Sequence, residues 1–278
     1  MSTEPGRPAD GIGPTAAADG NGAADGNGPA ADGIGLAADG NGLAAAGGPA
    51  ADENAYPAAE RAAVYRVIEE RRDVRQGFLP GPVPPEVLRR VLAAAHRSPS
   101  VGLSQPWDFI VVRSPAVRQK VRDAFAAANE EAAVMFEDER QKTYRQLKLE
   151  GIVEAPIGIC ITCDRSRTGS VVLGRTHQAD MDLYSAVCAV QNLWLAARVE
   201  NIGVGWVSII RPDDLRAALG IPSSIQPIAY LCVGYVTHFF QKPELETKGW
   251  LPRTPLADAV WIDRWHERDM SDPLLGKL

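Results

Sequence analysis

The chain has 278 residues and a formal charge of −6, from 29 Lys plus Arg against 35 Asp plus Glu. The charge is uneven: residues 1–52 hold Glu4, Arg7, Asp10, Asp19, Asp25, Asp32, Asp39 and Asp52, a net −6, so the remainder is neutral in sum. A neutral body lacks the cationic excess that nonspecific nucleic-acid binding needs. No run approaches the roughly 18 apolar residues of a membrane span, and the start lacks the basic-then-apolar order of a secretory signal, so a cytoplasmic protein with no nucleic-acid or membrane partner is expected.

Residues 1–55 read as a disordered tail. They contain 13 of the 26 glycines and repeat Ala-Asp-Gly-(Ile or Asn)-Gly at 9–13, 18–22, 24–28, 31–35 and 38–42, with no recurring apolar position from which to build a core. A globular domain is expected over 58–266 and a short C-terminal tail over 267–278. Its first element is an amphipathic helix over 59–72, with Ala62, Val64, Tyr65 and Ile68 among charges. Pro84-Pro85 open a second helix carrying Val87, Leu88, Val91, Leu92 and Ala95 on one face. Trp107–Val112 reads as a strand and Pro115–Phe125 as a helix. The stretch 130–150 reads as charged and helical, with Met135, Phe136, Tyr144 and Leu147 on one side. There follow a strand over 157–163, an apolar helix from Asp182 to Arg198, a strand over Gly205–Ile210, a helix over 212–219 and a strand over Pro227–Val236. Helices and strands interleave without strict βαβ alternation, which predicts an α+β domain. The last 40 residues hold Pro243, Pro252, Pro255 and Pro273 and read as an extended arm; wrapping a second copy of the chain would bury its Trp250, Trp261 and Trp265.

Cys160 and Cys163 spell CxxC, but inside a strand residues three apart point to opposite faces, so neither a redox pair nor half a zinc site is expected. His96, His177, His238 and His266 are scattered, and no metal is expected. Four groups have the chemistry of a binding site. Arg71-Arg72-Asp73-Val74-Arg75 is either a phosphate clamp or a basic helix end complementing the macrodipole. The loop from Ser98 to Trp107 supplies hydroxyls and the Gln105 amide. Gly203-Val-Gly-Trp-Val-Ser208 lets backbone come close to a ligand. Lys248 and Arg253 add positive charge in the arm.

Taken as an ordered set, these groups resemble the flavin-binding elements of the nitroreductase superfamily, and within it the BluB branch, the aerobic 5,6-dimethylbenzimidazole synthases. The likeness rests on Arg72-Asp-Val-Arg75, Pro99-Ser-Val-Gly102, Lys148-Leu-Glu-Gly-Ile152, Thr162-Cys-Asp-Arg165, Leu173-Gly-Arg-Thr-His177, Met181-Asp-Leu-Tyr-Ser185, Val187–Ala197 and Gly205-Trp-Val-Ser208. Asp73 stands where general nitroreductases usually have Ser. The resemblance implies a central mixed sheet flanked by helices and a domain-entwined homodimer with an extended C-terminal arm. It implies that reduced FMN is substrate rather than recycled cofactor, and that O2 is co-substrate. The flavin is fragmented to 5,6-dimethylbenzimidazole, the lower ligand of cobalamin, and erythrose 4-phosphate. Asp73 and Ser208 are the implied catalytic residues. Arg71, Arg72, Asp73, Val74, Arg75, Ser100, Gln105, Lys148, Gly205, Ser208 and Arg253 are the implied flavin contacts. Residues 130–150 form a candidate lid whose closure leaves little room for a nicotinamide, so a separate NAD(P)H flavin reductase would supply reduced FMN. The alternative is an NAD(P)H-dependent flavin reductase or nitroreductase, or a corrinoid cobalt reductase. The neighbouring arginines are expected to depress the pKa of Asp73. Deleting residues 1–52 is expected to leave the implied activity unchanged; a steady-state assay of the truncated chain checks this, and a loss of turnover would give the repeats a role.

Overall fold

The computed structural model describes residues 55–269 and 271–275. The repeat tail expected over 1–55 lies outside them except for Ala55, as do Met270 and residues 276–278 of the C-terminal tail.

Four strands form one sheet: β1 (Trp107–Val112), β2 (Ile157–Cys163), β3 (Ile202–Val207) and β4 (Gln226–Tyr235), in the order β1-β2-β4-β3. All three pairings are antiparallel. The expected mixed sheet is therefore corrected: its parallel contact is the isolated bridge between Asp73 and Val204 on the outer edge of β3. The cause is topological. β2 and β3 run in the same direction across a helical crossover, but β4 slots between them in the opposite sense, so the parallel relation never becomes a hydrogen-bonded pair.

Seven α-helices complete the described chain: α1 (Ala58–Glu70), α2 (Pro85–His96), α3 (Pro115–Ala133), α4 (Asp138–Gln146), α5 (Met181–Val199), α6 (Pro212–Leu219) and the single turn α7 (Glu244–Thr247). Three start on a proline, whose missing N–H costs nothing in a first turn; in α3 the Ser114 hydroxyl also accepts the Val117 N–H at 3.4 Å. Alternation along the central strands divides the core between two faces. Ile157, Ile159, Ile161 and Cys163 of β2, with Leu231 and Val233 of β4, pack with α2 and α5. Cys160, Tyr230 and Cys232 point the other way, into a cluster with Val121 and Phe125 of α3 and Leu215 of α6. Each fully buried aliphatic side chain contributes about 1.5–3 kcal/mol. Cys160 and Cys163 thus lie on opposite faces, and burial pushes their thiols up to about 12 and about 11. Among the described residues no cluster of His, Cys, Asp or Glu could hold a metal ion, and no helix is long and apolar enough to cross a membrane.

Two elements differ from expectation in ways that matter for function. α1 ends at Glu70 rather than 72, because Arg71 turns to an extended ψ of 136° and the chain leaves the helix to join β3, where the Val74 N–H donates to Val204 O at 3.0 Å. α1 also buries no residue; Val64, Tyr65 and Ile68 stay exposed, and the helix is moored at its C-terminal end by the Arg198–Glu70 ion pair at 2.8 Å. The arm, expected to leave its rings without local partners, seats Trp250 on the 130–150 stretch. The indole lies edge-on to Phe136, with centroids 5.3 Å apart, and carries the Arg140 guanidinium 4.5 Å above it.

The sharpest steric requirement is at Gly205. A Cβ there would overlap the carbonyl oxygen of Val74, which is backbone and cannot rotate away. Gly205→Ala is expected to cost at least about 1–3 kcal/mol, read as a lowered urea midpoint; an unchanged midpoint would mean that the 73–74 segment withdraws from β3 freely.

Candidate functional site

The segment after α1 lies along the free edge of β3. Val74 is buried, and its N–H bond to Val204 sets the register that places Asp73 beside Gly205 and Trp206. One Asp73 carboxylate oxygen, Oδ1, accepts the Trp206 backbone N–H at 2.9 Å; the other, Oδ2, accepts from Arg75 Nη2 in an ion pair. The Asp73 side chain keeps 27% of its exposure. The sequence-based expectation of a depressed Asp73 pKa is overturned. Burial raises it, and the opposing effects of Arg75, the Trp206 N–H and Arg71 do not cancel that rise. The carboxylate is therefore more basic than an ordinary aspartate and still held in a fixed orientation.

The three arginines do different things. Arg75 is committed to Asp73. Arg72 turns back on the main chain, donating from Nη1 to Glu69 O at 2.6 Å and Arg71 O at 2.7 Å, and from Nη2 to Gln241 O at the root of the arm; its buried Nε has no partner. Arg71 lies with its guanidinium carbon 4.7 Å from the centre of the Trp194 ring. Burial lowers the Arg71 pKa; Asp73 works against this, and Arg72 and Arg253 add to it. Neither Arg71 nor the exposed Arg253 has a carboxylate within ion-pair distance among the described residues, whereas many of the other arginines do. The structure thus gathers cationic charge that has no carboxylate in direct contact among the described residues, Asp73 acting on Arg71 only from beyond ion-pair distance.

Ser208 lies one residue past β3, exposed, two positions from the N–H that anchors Asp73. Lys148 is less available: its ammonium contacts Glu154 at 2.8 Å and Glu150 at 3.4 Å. Burial alone would lower its pKa, but the two carboxylates raise it overall. Its irregular segment still comes close to the Asp73–Arg75 stretch, since a Cβ on Gly151 would lie 3.1 Å from Arg75 O. Ser100 and Gln105 lie elsewhere. The Ser100 hydroxyl accepts the Gln105 N–H at 3.0 Å, inside a tight turn with positive φ at Leu103 (53°) and Gln105 (43°) that is tied to α5 by the Val101 N–H bond to Ser185 Oγ at 3.1 Å. This turn feeds β1, at the opposite edge of the sheet from β3, about 14 Å away at three strand spacings. Two open grooves among the described residues, between α3 and α6 and between α2 and β1, are lined by none of these residues. Sequence reasoning missed Trp194 and the Trp206 N–H. Trp206 stood inside the Gly203–Ser208 motif, but nothing in a sequence tells which backbone donor a carboxylate will meet.

The Nitroreductase family profile matches residues 68–235, from the last turn of α1 to the end of β4. The chain belongs to the nitroreductase family. Among nitroreductase-family relatives, the 5,6-dimethylbenzimidazole synthase of Rhodospirillum rubrum is 42% identical over 189 residues, 68% of this chain and 89% of that one. The 5,6-dimethylbenzimidazole synthase of Rhodobacter capsulatus is 35% identical over 200 residues, 72% of this chain and 96% of that one. In fold, the chain is similar to the crystal structure of oxidised iodotyrosine deiodinase bound to FMN and 3-iodo-L-tyrosine, with a TM-score of 0.58 and 19% identity over 73% of this chain and all of that one.

At this candidate site the charge balance at Asp73 is open to direct measurement. Because Arg75 lowers a pKa that burial raises, Arg75→Gln is expected to move it further up, and the native carboxyl should already titrate above the ordinary value of about 4. Carboxyl NMR titration of both proteins reads this; a native value at or below 4 would mean that the arginines dominate after all.

Proposed function

We propose that this protein is a 5,6-dimethylbenzimidazole synthase, an oxidoreductase that uses O2 to fragment reduced FMN into 5,6-dimethylbenzimidazole and erythrose 4-phosphate. The observation that carries the reading is the Asp73 carboxylate, raised in basicity by burial and fixed between Arg75 and the Trp206 N–H, near cations that have no ion-pair partner among the described residues. Identity of 42% across most of a synthase of that name supports it.

The residues present fit a flavin mononucleotide. Arg71 and Arg253 suit its phosphate, since neither has a carboxylate within ion-pair distance among the described residues and Arg71 is made less basic by burial and, to a smaller extent, by Arg72 and Arg253, a penalty that a bound dianion would offset. When bound, reduced flavin supplies the electrons that O2 accepts. The chain's own residues then have three tasks. Asp73, on the phosphate side, takes a proton from a hydroxyl of the sugar chain, a role usually worth about 10²–10⁴-fold. Arg75 and the Trp206 N–H hold that carboxylate so that little reorganisation is needed as the proton moves. Ser208, exposed at the end of β3, donates a hydrogen bond on the ring side. Lys148 is held near the site by its two glutamates and acts as part of its wall.

We also read the active form as a homodimer. Ser100 and Gln105 lie at the opposite edge of the sheet from Asp73, so in one chain they do not complete the site; in a second copy the same turn is available. Exposed apolar residues on α1 (Val64, Tyr65 and Ile68) and α5 (Tyr184 and Val187) support such an interface. A separate NAD(P)H flavin reductase would deliver reduced FMN. Four cysteines without a disulfide accord with a cytoplasmic, reducing location.

Incubating the protein with chemically reduced FMN in air, followed by mass spectrometry, is expected to yield dimethylbenzimidazole with loss of flavin. Intact reoxidised flavin together with NADH-driven reduction of a nitroarene would instead make it a flavin reductase. Asp73→Asn is expected to keep flavin affinity and lose product formation by about 10²–10⁴-fold.

A further inference from the structure

We infer that Trp194 is a positioning residue that makes the site selective for a phosphorylated flavin, an inference that rests on the proposed flavin site. Trp194 is 8% exposed and packs into the core cluster shared by α5 and the sheet. From there it makes two contacts with the segment after α1. Its indole Nε1–H donates to Arg72 O at 3.1 Å, and its ring face supports the Arg71 guanidinium at 4.7 Å. Its ring also lies 6.3 Å from that of Trp206, whose N–H holds Asp73. α1 buries nothing, so the exit of the chain from this helix takes its position from α5, through Trp194 and the Arg198–Glu70 pair one turn further on.

The kind of contact matters. A carboxylate partner would both neutralise Arg71 and occupy its donors. An aromatic face holds the cation by attraction to the π-system and leaves the in-plane N–H groups directed outward, ready for an incoming oxyanion. Arg71 makes no side-chain hydrogen bond or ion pair among the described residues, so the ring is the contact that orients it. Trp194 therefore acts through Arg71 on the phosphate and should have little influence on the ring system of the ligand.

The test compares oxidised FMN with riboflavin, which lacks the phosphate, by quenching of flavin fluorescence on the full-length protein, with thermal unfolding measured in parallel. Trp194→Leu is expected to weaken FMN binding by about tenfold and riboflavin binding by less than about twofold. Trp194→Phe, which keeps a ring and loses only the N–H donor, should recover most of the FMN preference and provides a reading if the Leu variant fails to fold. Equal weakening of both flavins, or of neither, would overturn the inference. Arg71→Ala separates the two levels. If it abolishes the preference for FMN while Trp194→Leu retains it, the role of Trp194 falls alone; if Arg71→Ala itself retains the preference, the phosphate site falls and the role of Trp194 with it.

Discussion

The backbone at Asp73–Val74 packs directly onto β3 because residue 205 has no side chain to keep it away. That single approach lets the Val74 N–H pair with Val204, sets the register by one residue, and so decides that the Asp73 carboxylate meets the Trp206 N–H rather than solvent. A shift of one residue would turn the carboxylate to the other side of the segment and present Val74 in its place. The position of the acid is thus a property of main-chain geometry, and the surrounding side chains act on an orientation already set.

The electrostatics follow from this placement. A carboxylate carried so close to a sheet edge loses water, and the resulting rise in its pKa outweighs the attraction of Arg75 and Arg71. The same crowding lowers the basicity of Arg71. Acid and cation are therefore both less comfortable in their charged forms than they would be in water. Arg75 holds the Asp73 carboxylate by an ion pair, and Arg72 ties the same segment to the main chain at Gln241.

Much of this was legible in the sequence, and the omissions have physical reasons. Apolar spacing located every strand to within a few residues, because alternation along β2 and β4 is imposed by two buried faces. The end of α1 was misjudged because the Arg71–Arg72 pair has good helix propensity, while the signal that ends the helix is the tertiary pull of β3. The CxxC pair was read correctly since strand geometry alone separates the two thiols. The basicity of Asp73 was misjudged because a sequence reveals the neighbouring charges but not the loss of solvent. The role of Trp194 was hidden for a similar reason: in sequence it lies 123 positions from Arg71, inside an apolar helix where a tryptophan needs no explanation beyond the core.

The placement of the cysteines has a bearing on durability. The proposed reaction of reduced flavin with O2 would expose the protein to stray peroxide, and a thiol is attacked through its thiolate. Cys160, Cys163 and Cys232 are buried, and the pKa of each is pushed well above neutrality, to about 12, about 11 and about 12. The sheet that presents Asp73 at its edge keeps these three sulfurs protonated and out of reach at its centre, which leaves the exposed Cys188 of α5 as the thiol open to oxidation.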